Sequence, residues 1–293
     1  MEAIAMKIED NKNDICEKAV VVDLTISCWV GKTTDVRGND AVSSTYGVKE
    51  TRGNYVKFLV PKERLNELKK LEQRLRNMHR KNTLPWGDRG ERLLPTKNYF
   101  RYMEKIEKAR SEWEKAVDKF IDEYNDLVEQ SRVELGHLFN PNDYPSESEI
   151  RSYFGISIDV FPIPTTDFRV SLGGEEVERM RNRLEQLLQK RFEAASKDLV
   201  IRMMNVVKKI KDRLTDPEAE RFRKSMFEAA NDIVEIVESL NVSDDPELNR
   251  LATEIRDVFG GVNVDEIKEN PDTKKKVAED AAKILEKIKK YMN

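Results

Sequence analysis

The chain has 293 residues, 37% of them charged and only 12 Gly and 10 Pro, a composition that favours long solvated helices over extended sheets. A formal net charge of −3 gives no overall pull toward a polyanion, so any such attraction must come from a local concentration of one sign. Two cysteines without metal-ligand spacing, and no apolar run near the roughly 18 residues of a bilayer span, argue against a disulfide scaffold, a zinc module and a membrane-spanning helix.

Residues 1–18 are polar and unpatterned and are expected to form a mobile N-terminal arm; 1–13 lack the apolar core of a signal peptide, which with reduced Cys16 and Cys28 points to a cytoplasmic protein. Residues 19–30 are rich in Val, Ile, Leu and Thr and read as a strand. The Gly-, Ser-, Thr- and Asn-rich stretch 31–54 reads as a long loop or ribbon, and 55–60 as a second strand ended by Pro61. Leu65, Leu68, Leu71, Leu75 and Met78 then recur at helical spacing, predicting a helix from Lys62 to about Lys81. A linker with Pro85, Gly87, Gly90 and Pro95 is too broken for regular structure.

The longest continuous signal runs from about Lys97 to Phe139, with a seam stepping 4,3,4,3 through Tyr99, Met103, Ile106, Trp113, Val117, Phe120, Tyr124 and Leu127, and Arg110 at one seam position. Such a seam predicts coiled-coil packing over about 60 Å. Ser146 with Glu149 signals a capped short helix, 155–164 alternates as a strand, and 168–172 is its expected hairpin partner. A second long helix follows Gly173-Gly174, with Val177, Leu184, Leu188, Phe192, Ala195, Leu199, Met203, Val206, Ile210 and Leu214 in an 11-residue repeat once Arg181 is allowed as its one polar member, suited to pair antiparallel with the first as a stalk. Asp216-Pro217, Asp245-Pro246 and Asn270-Pro271 each open a further helix. The expected fold is thus α+β and predominantly α: a small antiparallel sheet with two long paired helices over 19–215, then a separate C-terminal helical bundle over 216–293.

Catalytic motifs are scarce. Gly31-Lys32-Thr33 follows a strand, but the glycine that a phosphate loop needs five residues earlier is Ile26, so an ordinary turn is expected. His79 and His137 lie near helix ends and read as solvated or capping imidazoles. No nucleophile elbow is present, and carboxylates are interleaved with Lys and Arg along helices. No catalytic residue, metal site or cofactor is therefore assigned, and the protein is read as a non-enzyme.

One region is strongly biased. Residues 69–102 hold ten basic side chains, Lys69, Lys70, Arg74, Arg76, Arg80, Lys81, Arg89, Arg92, Lys97 and Arg101, against three acidic ones. Trp86, Tyr99, Phe100 and Tyr102 are interleaved with them. Cations neutralise phosphates while aromatic rings stack on unpaired bases, so the basic residues together with Trp86, Tyr99 and Phe100 form the candidate site for single-stranded nucleic acid. The bland reading is that the aromatic residues anchor the linker and the charges are merely solvated. Long amphipathic helices also predict self-association, or a groove for a protein partner.

Three motifs, Val22-Asp23-Leu24-Thr25-Ile26-Ser27-Cys28-Trp29 with Gly31 after it, Arg92-Leu93-Leu94-Pro95, and Phe161-Pro162-Ile163-Pro164 with Asp167-Phe168-Arg169-Val170, carry a resemblance. Over roughly residues 20–215 the chain resembles a bacteriophage and prophage domain family of unknown function, often encoded beside MoxR-type AAA+ ATPases and von Willebrand A proteins. The resemblance implies a phage-encoded accessory protein acting in the host cytoplasm and assigns no catalytic residue. The resulting expectation is a homo-oligomer that binds nucleic acid, preferably single-stranded DNA. The competing one is an adaptor or inhibitor acting on a host defence complex or an AAA+ ATPase.

Overall fold

The computed structural model describes residues 16–49, 52–165, 174–216 and 224–292. In chain order these hold β1 (Ala19–Ser27), β2 (Lys32–Thr34), α1 (Val36–Tyr46), β3 (Val56–Phe58), α2 (Lys62–Lys81), β4 (Leu84–Pro85), β5 (Arg92–Pro95), α3 (Tyr99–Leu135), α4 (Glu147–Ile150), β6 (Gly155–Pro162), α5 (Gly174–Thr215), α6 (Lys224–Leu240), α7 (Pro246–Phe259), α8 (Val264–Glu269) and α9 (Pro271–Met292). The described residues are 73% helical with a small antiparallel sheet, the α+β, predominantly α class that composition and periodicity predict. Among the described residues no helix is long and apolar enough to cross a membrane. Of the mobile arm expected over 1–18, residues 1–15 lie outside the described residues, as do the hairpin partner at 168–172 and the Pro217 helix start, while 16–18 are helical and anchored, Cys16 packing on the core and Lys18 pairing with Asp244 at 2.6 Å.

The chain forms two compact units. The first comprises the described parts of 1–23, 79–102 and 159–293. In it β5 pairs antiparallel with β1, Ala19 opposite Pro95 and Val22 opposite Arg92, and with β4, Leu84 opposite Leu93. The full sheet order is β4-β5-β1-β6. The 82–96 linker is therefore not irregular throughout. Leu84, Leu93 and Leu94 are buried, and both prolines of these strands stand at strand ends, where a missing amide is tolerated.

The core of this unit is helical. From Leu188 through Phe192, Ala195, Leu199, Met203, Ile210 and Leu214, the α5 seam is buried against the apolar faces of α6, α7 and α9. This corrects two expectations. The seam of α5 is covered within its own unit, not by the first long helix in a stalk. The C-terminal helices in turn share their core with α5 instead of standing apart after residue 215. Both follow from the amphipathic faces of α6, α7 and α9, which are too apolar to remain open and find their complement in α5.

The second unit comprises 24–78 and 103–158. Here α2 and α3 run antiparallel, as three ion pairs show: Arg64 with Glu123 at 3.2 Å, Glu67 with Lys119 at 3.2 Å, and Arg74 with Glu112. Leu65 and Leu68 of α2 pack with Trp113, Val117, Phe120, Tyr124 and Leu127 of α3, so the partner of the heptad seam is the helix that precedes it in the chain. Trp29 joins the same core edge-on to Tyr124, with ring centroids 5.8 Å apart.

The stretch 31–54 departs most from expectation. It holds β2 and, after a tight turn, the helix α1, which buries only Gly38 and so shows no apolar period in the sequence. Local chemistry defines it: the Asp35 carboxylate accepts from the Gly38 amide at 3.0 Å to cap its start, and Gly47 at φ 63° ends it.

Candidate nucleic-acid interface

The thirteen residues singled out from the sequence fall in both units, and each set is described by itself. Arg80, Lys81, Trp86, Arg89, Arg92, Lys97, Tyr99, Phe100 and Arg101 belong to the first unit, where the aromatic part of the expected site is mostly consumed. Trp86 is 6% exposed, packs edge-on against Phe192 at 5.1 Å and lies under the Arg191 guanidinium, so it is a core anchor and not a stacking platform. Tyr99 is half-buried and holds Phe100 edge-on at 5.5 Å, while Phe100 itself is strongly exposed, at 83%. Tyr102 is fully buried, its hydroxyl 2.8 Å from Nδ1 of His79. His79 is itself buried, which overturns the solvated imidazole expected from its place near a helix end.

The cations of this unit are partly engaged too. Arg92 donates to the hydroxyl and carbonyl of Thr83 at 2.6 and 3.0 Å. Arg202 donates to the carbonyls of Arg80, Lys81 and Thr83, so the two guanidinium groups together close the C-terminal end of α2. Burial and the neighbouring Arg202 pull Arg92 below its usual value. Lys81 pairs with Asp232 at 3.0 Å, Arg101 pairs with Glu235, and Lys97 reaches the Asn241 carbonyl and Asp244. Exposed pairs of this kind are worth only about 0–1 kcal/mol and can exchange for phosphate. Arg80 and Arg89 are exposed and make no ion pair among the described residues.

In the second unit the outward face of α2 is more coherent. At about 100° per residue, Lys62, Asn66, Lys69, Lys70, Gln73, Arg76 and Asn77 fall within about a third of the circumference, opposite the buried Leu68 and Leu75, with the buried Leu65 at one edge. No carboxylate interrupts this stripe: of the three acidic residues of α2, Glu67 faces Lys119 of α3, Glu72 holds Arg76 at 2.8 Å from the edge of the stripe, and Glu63 lies on the flank. Lys69 and Lys70 are exposed and without an ion pair among the described residues. Arg74, paired with Glu112, belongs to the α3 side of the helix.

Beside the start of this helix lies the β2–β3 ribbon: β3 falls within the strand expected at 55–60, whereas its partner β2 was not placed within the loop or ribbon expected over 31–54. Its register places Lys32 opposite Phe58 and Thr34 opposite Val56, and all four are exposed. Thr33 and Lys57 point to the other side, where Lys57 is buried. Its ammonium donates to Asp35 at 2.5 Å, to Asp143 at 2.8 Å and to the Leu138 carbonyl at 2.6 Å. The hydrogen bonds from Lys57 and the Gly38 amide hold the Asp35 carboxyl well below the usual carboxylate range, at about 2. Burial disfavours the Lys57 ammonium, but Asp143 and Asp35 outweigh it and raise its pKa. The signal for β2 was alternation over three residues, too short to stand out from a loop.

The ordinary turn expected at Gly31-Lys32-Thr33 is confined to Gly31: Lys32 and Thr33 belong to strand β2, and a helix does follow. The N-terminus of α1 is already filled by the Asp35 carboxylate, which repels a phosphate from the position a phosphate loop would use. Gly31 sits at φ 61°, and a Cβ there would run into Leu65 of α2. No protein-family model, curated protein or solved structure matches the chain.

Proposed function

We propose that this is a non-enzymatic, phage-encoded accessory protein that binds nucleic acid, preferably single-stranded, along the outward face of α2. The carrying observation is the carboxylate-free stripe of Lys62, Lys69, Lys70 and Arg76 with Asn66, Gln73 and Asn77. Cations at helical spacing follow a phosphate backbone, and amide side chains beside them can meet sugar and base edges. Within the basic segment 69–102 this singles out Lys69, Lys70 and Arg76, and releases Trp86 to the core. The phage context and cytoplasmic setting rest on the resemblance carried by the motifs between residues 20 and 215.

The test is fluorescence anisotropy with single- and double-stranded oligonucleotides across a salt series, on the wild type and on Lys69→Glu/Lys70→Glu. Binding should weaken as salt rises, and the double variant should lower the slope of log K against log salt by about 0.7 for each phosphate of a single strand that is no longer neutralised. Absence of salt-sensitive binding, or a slope unmoved by the charge reversal, refutes the reading.

A second reading is supported by α1. A helix of 11 residues that buries only Gly38 and exposes Val36 (69%) and Tyr46 (76%) suits protein association, either with another copy or with a host or phage partner such as a defence complex or an AAA+ ATPase.

A further inference from the structure

We infer that the exposed face of the β2–β3 ribbon is a platform on which one unpaired base stacks against Phe58, so that the strand lying on α2 must be single-stranded at that point. The inference rests on the function proposed above and adds the feature that selects the ligand.

Four observations converge. The register gathers Lys32, Thr34, Val56 and Phe58 on one side, and all four are exposed. Phe58 is 39% exposed, and the Lys62 ammonium stands 4.0 Å from its ring centroid. Lys62 opens the basic stripe of α2, so the ring lies where that stripe begins. The opposite side is fixed by the buried Lys57, which ties β3 to Asp35, Asp143 and the Leu138 carbonyl. A three-residue strand in a two-stranded ribbon has little stability of its own, so this staple is what can hold the ring in place.

The chemistry follows. An exposed cation–π contact is weak, so Lys62 can leave the ring for a phosphate while a base takes its place on the aromatic face. A base still paired in a duplex has its faces occupied by its neighbours and cannot do so. Among the described residues between Lys32 and Glu63 the exposed cations are Lys32, Arg37, Lys49, Arg52 and Lys62, against the exposed carboxylates Asp40 and Glu63, so the surroundings favour a polyanion over a neutral protein face. Specificity for base identity is not expected, because every base offers a π-face.

The experiment compares Phe58→Ala, Phe58→Trp and Lys69→Glu/Lys70→Glu by anisotropy, each folded by circular dichroism, with a single-stranded oligonucleotide and the duplex of the same sequence. Phe58→Ala should weaken single-strand binding about 5- to 150-fold, leave weak duplex binding and the salt slope unchanged, and be rescued by Phe58→Trp. Ultraviolet cross-linking of the wild type should place a nucleotide on the peptide that contains Phe58. Single-strand affinity unchanged in Phe58→Ala, with the lysine variant impaired, overturns the platform and leaves the function standing. No oligonucleotide binding by any form overturns both. A Phe58→Ala protein that changes oligomeric state but not affinity assigns the face to a second copy and likewise overturns the platform.

Discussion

Replacing Lys57 by Met removes the cation that the buried Asp35 and the half-buried Asp143 share, while leaving a side chain of similar length in place. The Lys57 side chain is 1% exposed, Asp35 5% and Asp143 22%, so the carboxylates left behind have little water to turn to. Breaking a buried ion pair by removing one partner costs about 3–5 kcal/mol, most of it the uncompensated charge. Adding Asp35→Asn and Asp143→Asn removes that charge and keeps an acceptor for the Gly38 amide, so the triple variant should recover most of the stability. Urea unfolding followed by tryptophan fluorescence suits the question, because Trp29 and Trp113 both lie in the core of this unit.

The pH dependence supplies an independent check. A carboxyl whose folded pKa is depressed to about 2 adds stability that is present above its ordinary value of 3.8 and lost as pH falls toward 2. A lysine whose pKa is raised adds stability that is present below 10.5 and lost only as pH climbs past its folded value. The wild type should therefore weaken between pH 4 and about 2, and Lys57→Met should weaken less over the same window. A single variant within about 1 kcal/mol of wild type, or a triple variant no better than the single, refutes the staple.

Two further outcomes are expected. Trp86→Ala, which empties a site against Phe192, should destabilise the first unit by about 3–5 kcal/mol in calorimetry while oligonucleotide affinity stays within experimental error; weaker binding by the folded variant would return Trp86 to the interface. Cys28, whose thiol is pushed up to about 11 by burial and by Glu72 against the opposing Lys69, should be alkylated by iodoacetamide at a rate that still climbs about tenfold per pH unit at pH 9. A rate already at its plateau there contradicts the buried, protonated thiol.

Periodicity carried the helices. Lys62–Lys81 was legible because Leu65, Leu68, Leu71 and Leu75 keep one side of α2 apolar over most of its length, and α3 and α5 for the same reason. It could not say which helix covers which seam, because α2 and α5 offer α3 apolar stripes of the same kind; the ion pairs of Arg64 and Lys119 distinguish them only once the helices are in space. The helix α1 escaped because it packs through the hydrogen atom of Gly38 and not through a row of apolar side chains. Within the site, the clustering of lysine and arginine was visible, but whether a neighbouring aromatic residue faces water was not. Trp86 meets Phe192 and Tyr102 meets His79, whereas Phe58 is left outside by a register that exists only after β2 and β3 pair.

The unequal burial along α5 has a consequence for how that helix behaves. Its 42 residues correspond to about 63 Å of helix, yet none of residues 174–187 is buried, and of their apolar side chains Leu184 touches the core while Leu187 stands 42% exposed. Such a stretch would scarcely nucleate alone, but here it grows from turns that the core already holds, so only propagation is required of it. Its outer turns can unwind and rewind without disturbing anything beyond Leu188, which makes the length of the projecting helix an adjustable quantity in an otherwise fixed unit.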